Sequence, residues 1–245
     1  MRPVRRGASP RPDDFAPYKS ALPHLIARIG SYCSYCERRI ATQLAVEHIQ
    51  PKGIAAYADL IGRWDNYLLA CVNCNSTKKD KNIVLAEVLL PDRDNTFAAF
   101  AYSPDGRVEP KKVGVAHDVL LKARDTLALT GLDKKITLAM DENGKQVAID
   151  RISQRMQAWA TAEDARSLVN QSPGNDAVRR LSVTLAQSCG FFSIWMSVFV
   201  DDTDMRNRLI DAFEGTRVSG CFDPITTAPV SPAPNPDGLA CGGKV

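Results

Sequence analysis

The sequence predicts an α+β protein in which a small cysteine-rich unit is followed by a mainly helical region. The first third of the chain contains two Cys-x-x-C pairs, with short apolar segments of strand-forming residues between them. The remainder contains several amphipathic segments with helical spacing. Hydrophobic residues make up 44% of the chain and charged residues 24%, which is the ordinary globular range and excludes a mainly disordered chain.

Residues 1–30 are predicted to form a basic arm and an N-terminal helix. Four arginines stand among three prolines, which suits an extended arm; they are Arg2, Arg5, Arg6 and Arg11. The apolar spacing of residues 18–29 predicts a short helix that ends at Gly30. The opening residues lack the apolar stretch of a secretory signal, and the longest apolar run, 190–200, is too short for a membrane span. A cytoplasmic location is therefore expected.

Residues 31–90 are predicted to form the cysteine-rich unit. Cys33 and Cys36 form one pair, Cys71 and Cys74 form the other, and 34 residues separate the pairs. Two intervening residues let both thiolates of a pair turn toward one point, so the four side chains predict a tetrahedral, structural zinc site. A redox-active dithiol is the alternative, but the thioredoxin-like βαβ pattern that it needs is missing.

A set of polar residues is interleaved with the cysteine pairs. Glu47 and His48 end an apolar segment that suits a short strand, and Asn66 precedes a second apolar segment. Asn75 directly follows the last cysteine. Taken singly, these residues could be a surface ion pair, a turn residue and a helix cap. Their joint order between the cysteines favours a functional site. Three lysines accompany them: Lys52, Lys78 and Lys79.

Together these motifs resemble the HNH endonucleases, which have a ββα-metal core. The resemblance covers residues 32–82 through C-x-x-C, E-H-I-x-P, W-x-N-x-L-L-x-C and C-N-x-x-K. It implies that His48 is the catalytic general base and that Glu47 is a metal ligand in place of the more frequent Asp. It also implies that Asn66 fixes the loop around the histidine and that Asn75 binds Mg2+ or Mn2+. The three lysines would contact nucleic acid.

The function implied by the resemblance is hydrolysis of phosphodiester bonds in DNA. A neutral imidazole can take a proton from water, and a divalent ion held by oxygen ligands can neutralise phosphate charge. The charge distribution is consistent with a polyanionic substrate, because residues 1–82 carry a net charge of +6 and residues 83–245 carry −3. The alternative is a non-catalytic, zinc-stabilised nucleic-acid-binding module, which would not need Glu47, His48 and Asn75 in register.

Longer phrases of the sequence resemble the small HNH proteins of bacterial anti-phage systems of the Septu and retron-associated type. These phrases are MRPVRRGASP, RIGSYCSYCE, AVEHIQPK, LLACVNCNSTKKDKN and PDRDNTFAAFAYS. Such proteins are encoded beside an ABC/AAA-type ATPase. The resemblance therefore implies a role in antiviral defence and a partner ATPase that controls the nuclease.

Residues 91–225 are predicted to form a mainly helical region that docks the partner. The spacing of apolar and turn residues predicts a hairpin over 97–108, helices over 117–129, 152–169, 176–187 and 204–213, and a buried segment over 191–200. Residues 226–245 contain four prolines, three glycines and few large apolar residues, which predicts a disordered tail.

Overall fold

The computed structural model describes residues 1–134, 138–140, 146–148 and 151–245. It confirms the predicted α+β class, with small two-stranded sheets and a helical C-terminal part. The strands are β1 (Ala45–His48), β2 (Tyr67–Ala70), β3 (Phe100–Tyr102), β4 (Val108–Pro110), β5 (Leu138–Met140) and β6 (Gln146–Ala148). The α-helices are α1 (Leu22–Ile29), α2 (Val72–Lys78), α3 (Thr96–Ala99), α4 (His117–Thr130), α5 (Arg151–Gln171), α6 (Asp176–Cys189), α7 (Phe192–Val198) and α8 (Thr203–Ala212). Short 3-10 helices span Tyr18–Ala21, Ala55–Leu60, Trp64–Asn66 and Arg217–Ser219.

Strands β1 and β2 form an antiparallel hairpin in which His48 pairs with Tyr67. Successive side chains of a strand point to opposite faces, and β2 uses both faces for packing. Leu68 and Ala70 pack in a core cluster with the cysteines, whereas Tyr67 and Leu69 pack with α1. The hairpin is therefore held between two hydrophobic clusters, which fixes the positions of its polar residues.

Helix α2 begins at the second cysteine pair. Cys71 is the N-cap residue, and its Sγ accepts a hydrogen bond from the backbone N–H of Cys74 at 3.5 Å. The helix ends at Lys78, because the next residue, Lys79, has a φ of 48° that does not continue the helix. A single short helix consequently carries two cysteines at its start, Asn75 in its middle and Lys78 at its end.

The N-terminal arm is packed against the fold. Arg2 is buried and donates to the backbone oxygens of Ile29 and Glu214, each at 2.6 Å. Arg6 is also buried, and it forms an ion pair with Asp92 at 2.8 Å. The predicted basic arm is therefore packed at these two arginines, because buried carbonyl and carboxylate groups bind their guanidinium groups. Their charge holds the chain together and is not exposed to a polyanion.

The segment 226–245 is packed as well, contrary to the predicted disorder. It contains little regular structure, but Gly243 N donates to Arg93 O at 2.8 Å, and Lys244 Nζ lies 3.1 Å from Asp94 Oδ2. Ala233 is buried in the cluster of α5–α8. The composition of this segment predicts little burial of apolar side chains and therefore disorder. The segment is ordered instead by hydrogen bonds and an ion pair with buried polar groups of residues 91–95.

The helical region forms its own core and contacts the cysteine unit through Glu37. Helices α5 to α8 enclose a cluster in which Phe192 and Trp195 are fully buried. The buried Glu37 carboxylate accepts hydrogen bonds from Ser193 N at 2.6 Å and Tyr102 Oη at 2.9 Å. Within the described ranges, every helix is too short or too polar to cross a membrane.

Candidate active site

The four predicted cysteine ligands lie together. The Sγ atoms of Cys33, Cys36, Cys71 and Cys74 are all within 4.8 Å of one another, and all four residues are buried. The Sγ atoms of Cys36 and Cys71 are 3.8 Å apart. In a tetrahedral site with Zn–S bonds of about 2.3 Å, neighbouring sulfurs are roughly 3.8 Å apart. The cluster therefore fits the predicted structural zinc ion, and four thiolates would complete its coordination shell.

The electrostatics of the cluster favour a cation. Burial raises the pKa of Cys33, whereas hydrogen bonding from Cys33, Cys36 and Cys74 lowers the pKa of Cys71. A dication lets all four thiols ionise in this buried place. Arg151, at the start of α5, places Nη1 3.2 Å from Cys74 Sγ. This guanidinium group adds positive charge beside the thiols and ties the helical region to the cluster.

His48 ends strand β1 and is held in one orientation by a backbone carbonyl. Its Nε2 lies 3.0 Å from the oxygen of Ile61, which also accepts a hydrogen bond from Tyr67 Oη at 2.6 Å. A carbonyl can only accept, so this contact requires the proton on Nε2 and leaves Nδ1 of the neutral ring as a proton acceptor. Burial, assisted by the nearby Lys52 and Lys78, lowers the pKa of His48. The hydrogen bond to Ile61 acts in the opposite direction on this pKa, but burial and the two lysines outweigh it and favour a neutral base.

Asn66 fixes the loop that follows His48. Its Oδ1 accepts from Gln50 N at 2.8 Å, and its Nδ2 donates to Gln50 O at 3.0 Å and to Leu60 O at 3.2 Å. Its backbone oxygen accepts from Ile49 N at 2.8 Å. One buried side chain therefore closes both ends of the loop that carries the Ile61 carbonyl close to His48.

Glu47 forms a buried ion pair with Lys78. Glu47 is 2% exposed and Lys78 is 1% exposed, and Lys78 Nζ lies 2.7 Å from Glu47 Oε1. The same ammonium group donates to the backbone oxygen of His48 at 2.7 Å. Burial raises the pKa of Glu47, although Lys78 acts in the opposite direction. Lys78, predicted as a nucleic-acid contact, thus faces the hairpin from inside the core.

One cavity of about 300 Å³ brings most of the predicted polar residues together. Glu47 and His48 line it from β1, Asn75 and Lys78 line it from α2, and an exposed rim is basic. The rim includes Lys19, Lys52 and Lys79 together with one exposed carboxylate, Asp80, so it remains net basic. Asn66 instead lines a separate, smaller cavity of about 180 Å³. The carboxylate of Glu47 and the amide of Asn75 are oxygen donors of the kind that Mg2+ and Mn2+ prefer, so the lining fits such an ion.

Sequence reasoning missed three residues that surround His48, of which only Tyr18 lines the cavity. Tyr18 precedes α1, yet its ring centroid lies 4.7 Å from that of His48, and its Oη accepts from Lys52 Nζ at 3.0 Å. Tyr67 stacks edge-on against His48 with centroids 5.3 Å apart. Ile61 contributes only its carbonyl oxygen. A backbone carbonyl leaves no mark in residue type, and Tyr18 reaches the site through chain packing, so neither had a local sequence signal.

Comparison with protein families identifies the segment that carries this geometry. Residues 33–81 match the family model described as HNH endonuclease. The match begins at the first cysteine of the cluster, includes both strands of the hairpin and helix α2, and ends just beyond Lys79. A search of curated proteins finds no match to the chain. The likeness to the HNH endonuclease family is therefore confined to this segment, and the remaining four-fifths of the chain lie outside it.

Proposed function

We propose that this protein is a metal-dependent HNH endonuclease that hydrolyses phosphodiester bonds of DNA. The observation that carries the proposal is the state of His48, whose Nε2 is committed to the Ile61 carbonyl while the ring edges on a cavity with a basic rim. A general base needs an unprotonated nitrogen, and a neutral His48 with its proton on Nε2 offers Nδ1 for that role. The match of residues 33–81 to the HNH model supports the same reaction.

Each predicted residue has a distinct role in this proposal. His48 takes the proton from the attacking water, and Asn66 keeps the Ile61 loop in place so that the imidazole does not rotate. Glu47 and Asn75 hold Mg2+ or Mn2+, which supplies neutralisation of the phosphate charge. Lys52 and Lys79, both exposed at the cavity, contact the backbone phosphates of the substrate.

We further propose a partner ATPase and a role in anti-phage defence, in the cytoplasm, on the basis of the longer sequence phrases given above. The region 91–225 offers surface for such a partner, because Leu168 and Leu181 are 57% and 68% exposed on α5 and α6. Purification of the protein from its native host tests this directly. Co-purification of an ATPase is expected, and its absence under conditions that preserve complexes would contradict the proposal.

The decisive experiment is a plasmid-cleavage assay with Mg2+ or Mn2+ on the wild-type protein and on His48→Ala. Loss of the general base is expected to lower cleavage by about 100-fold or more while the zinc content and thermal unfolding stay unchanged. His117→Ala is the matched control, because His117 is exposed at the start of α4. Unchanged cleavage by His48→Ala would refute the assignment of the base. DNA binding without cleavage by the wild-type protein would favour the nucleic-acid-binding module.

A further inference from the structure

We propose that Lys78 is a built-in counter-ion of Glu47, and that a divalent cation must displace it in order to bind this carboxylate. This inference rests on the proposed function, because it concerns the cation of the same cavity. It gives Lys78 a role different from that of the exposed lysines around it. It also predicts that the charge of Lys78 weakens the binding of a divalent cation to Glu47.

The position of Lys78 distinguishes it from the other lysines of the cavity. Lys19, Lys52 and Lys79 are exposed, whereas Lys78 is 1% exposed. Its side chain leaves the last turn of α2 and reaches β1, where Nζ contacts Glu47 Oε1 and the oxygen of His48, each at 2.7 Å. One ammonium group therefore joins the helix to the strand that carries both the carboxylate and the imidazole.

The two cations compete because they need the same carboxylate. An oxygen that already pairs with an ammonium group at 2.7 Å has less negative potential to offer a metal ion. A second cation on Glu47 is also repelled by Lys78, and this repulsion is strong where solvent is excluded. Removing the positive charge of Lys78 should therefore tighten metal binding, provided that the carboxylate of Glu47 remains.

Displacement gives Lys78 an alternative partner in the same cavity. The exposed lysines line the same cavity and outnumber its exposed carboxylate, Asp80, so the anion expected there is a phosphate of the nucleic acid. An ammonium group that moves from Glu47 to a phosphate frees the carboxylate for the metal ion. Metal and nucleic acid should therefore promote each other's binding, since coupling between two ligands is reciprocal.

The test is Mn2+ binding to the zinc-loaded, full-length protein, measured by calorimetry. Lys78→Gln removes the charge but keeps an amide that can donate to the oxygen of His48. It is expected to bind Mn2+ about tenfold tighter than the wild type, because a unit charge in contact with the site is lost. The tightening should disappear in Glu47→Gln/Lys78→Gln. Lys19→Met, which removes an exposed charge from the same cavity, should change the affinity by less than about threefold, since solvent screens it.

Unchanged or weaker Mn2+ binding by Lys78→Gln, with zinc content and unfolding temperature preserved, would overturn the proposal. So would an equal tightening in Lys19→Met. If Lys78→Gln does not fold, the affinity of His48→Ala for Mn2+ with and without a short DNA duplex decides the question. The duplex is expected to tighten Mn2+ binding several-fold, in line with typical coupling energies, and no change overturns the displacement.

Failure of this inference can be separated from failure of the proposed function. Mn2+ binding is measured without cleavage. If the wild-type protein cleaves DNA and Lys78→Gln leaves the Mn2+ affinity unaltered, the nuclease proposal stands and the counter-ion proposal fails. If the wild-type protein does not cleave DNA, but Lys78→Gln tightens the Glu47-dependent binding of Mn2+, the counter-ion proposal stands and the nuclease proposal fails.

Discussion

The cysteine cluster and the His48 cavity are built on neighbouring parts of the same hairpin and helix, yet they differ in ligand type and in access. The cluster consists of four buried thiols whose sulfurs would complete the tetrahedral shell of a zinc ion. The cavity combines oxygen donors, an imidazole and exposed lysines around open space. Helix α2 serves both, since it carries Cys74 at its start and Asn75 next to it. The contrast indicates that the cysteine cluster stabilises the hairpin and α2, and that these elements hold the side chains of the His48 cavity in fixed positions.

The largest effect is expected from removing a zinc ligand. Cys74→Ala should lose zinc and unfold the hairpin and α2, because structural zinc contributes about 10–16 kcal/mol in small domains, as much as a whole domain's stability. Zinc content and protease resistance of residues 31–90 provide the measurement. Cys189→Ala is the control, since its thiol lies outside the cluster and is half-buried. A Cys74→Ala protein that stays folded and active without zinc would show that the cysteine cluster does not stabilise the His48 cavity.

The next largest effect is expected from breaking the ion pair of the N-terminal arm. Arg6→Met leaves the buried Asp92 with one partner fewer, and losing one member of a buried pair costs about 3–5 kcal/mol. Chemical denaturation measures this free energy of unfolding. Arg11→Met, at an exposed position of the same arm, should change it by less than about 1 kcal/mol. If Arg6→Met instead weakened DNA binding and left the free energy of unfolding unchanged, the arm would be a nucleic-acid contact.

A more specific effect is expected from Asn66→Ala. The loop would lose three side-chain hydrogen bonds and the Ile61 carbonyl would move away from His48. A displacement of about 1 Å at a catalytic group costs on the order of 100-fold in rate. The cleavage rate should fall by about that factor while zinc is retained. Asn73→Ala, on the exposed side of α2, is the matched control. Equal rates in both variants would show that His48 needs no such loop.

The smallest effect is expected from the exposed lysines. Lys52→Met and Lys79→Met should each weaken DNA binding a few-fold and lower the slope of log affinity against log salt by about 1, because each removes one phosphate contact. Binding is measured with a short duplex at several salt concentrations. Lys111→Met, exposed at the end of β4, should leave the slope unchanged. A slope that falls equally in all three variants would mean that the cavity does not bind the DNA.

The sequence was most informative where a local pattern fixes a local geometry. The spacing of the two Cys-x-x-C pairs predicted the cluster, because two intervening residues set the separation of a pair. Helices α4, α5, α6 and α8 and the β3–β4 hairpin agree with the spacing of apolar and turn residues, whereas α3, strands β5 and β6 and the helical form of α7 were not predicted. Glu47, His48 and Asn75 were predicted at one site from their order, and they line one cavity. Their catalytic roles and the boundaries of the four regions remain predictions.

The sequence was least informative where charge and composition had to predict location. Arg2 and Arg6 were predicted to lie in an extended basic arm, and the segment 226–245 was predicted to be disordered. Both are packed, because buried carbonyl and carboxylate groups from distant parts of the chain accept their hydrogen bonds. Composition gives the apolar content and the net charge of a segment, but it does not show which distant carbonyl and carboxylate groups that segment will bind.

The sequence alone predicted the cysteine cluster, the candidate metal ligands and the candidate base, since cysteine spacing and the order of Glu47, His48 and Asn75 are properties of the local chain. Tertiary structure alone decided which groups surround them. The carbonyl of Ile61 sets the tautomer of His48, Tyr18 covers the imidazole, and Lys78 turns inward to Glu47 while Lys79 faces solvent. Residue type does not encode these choices. They depend on where the α2 and hairpin backbones meet, and only packing of the whole chain fixes that position.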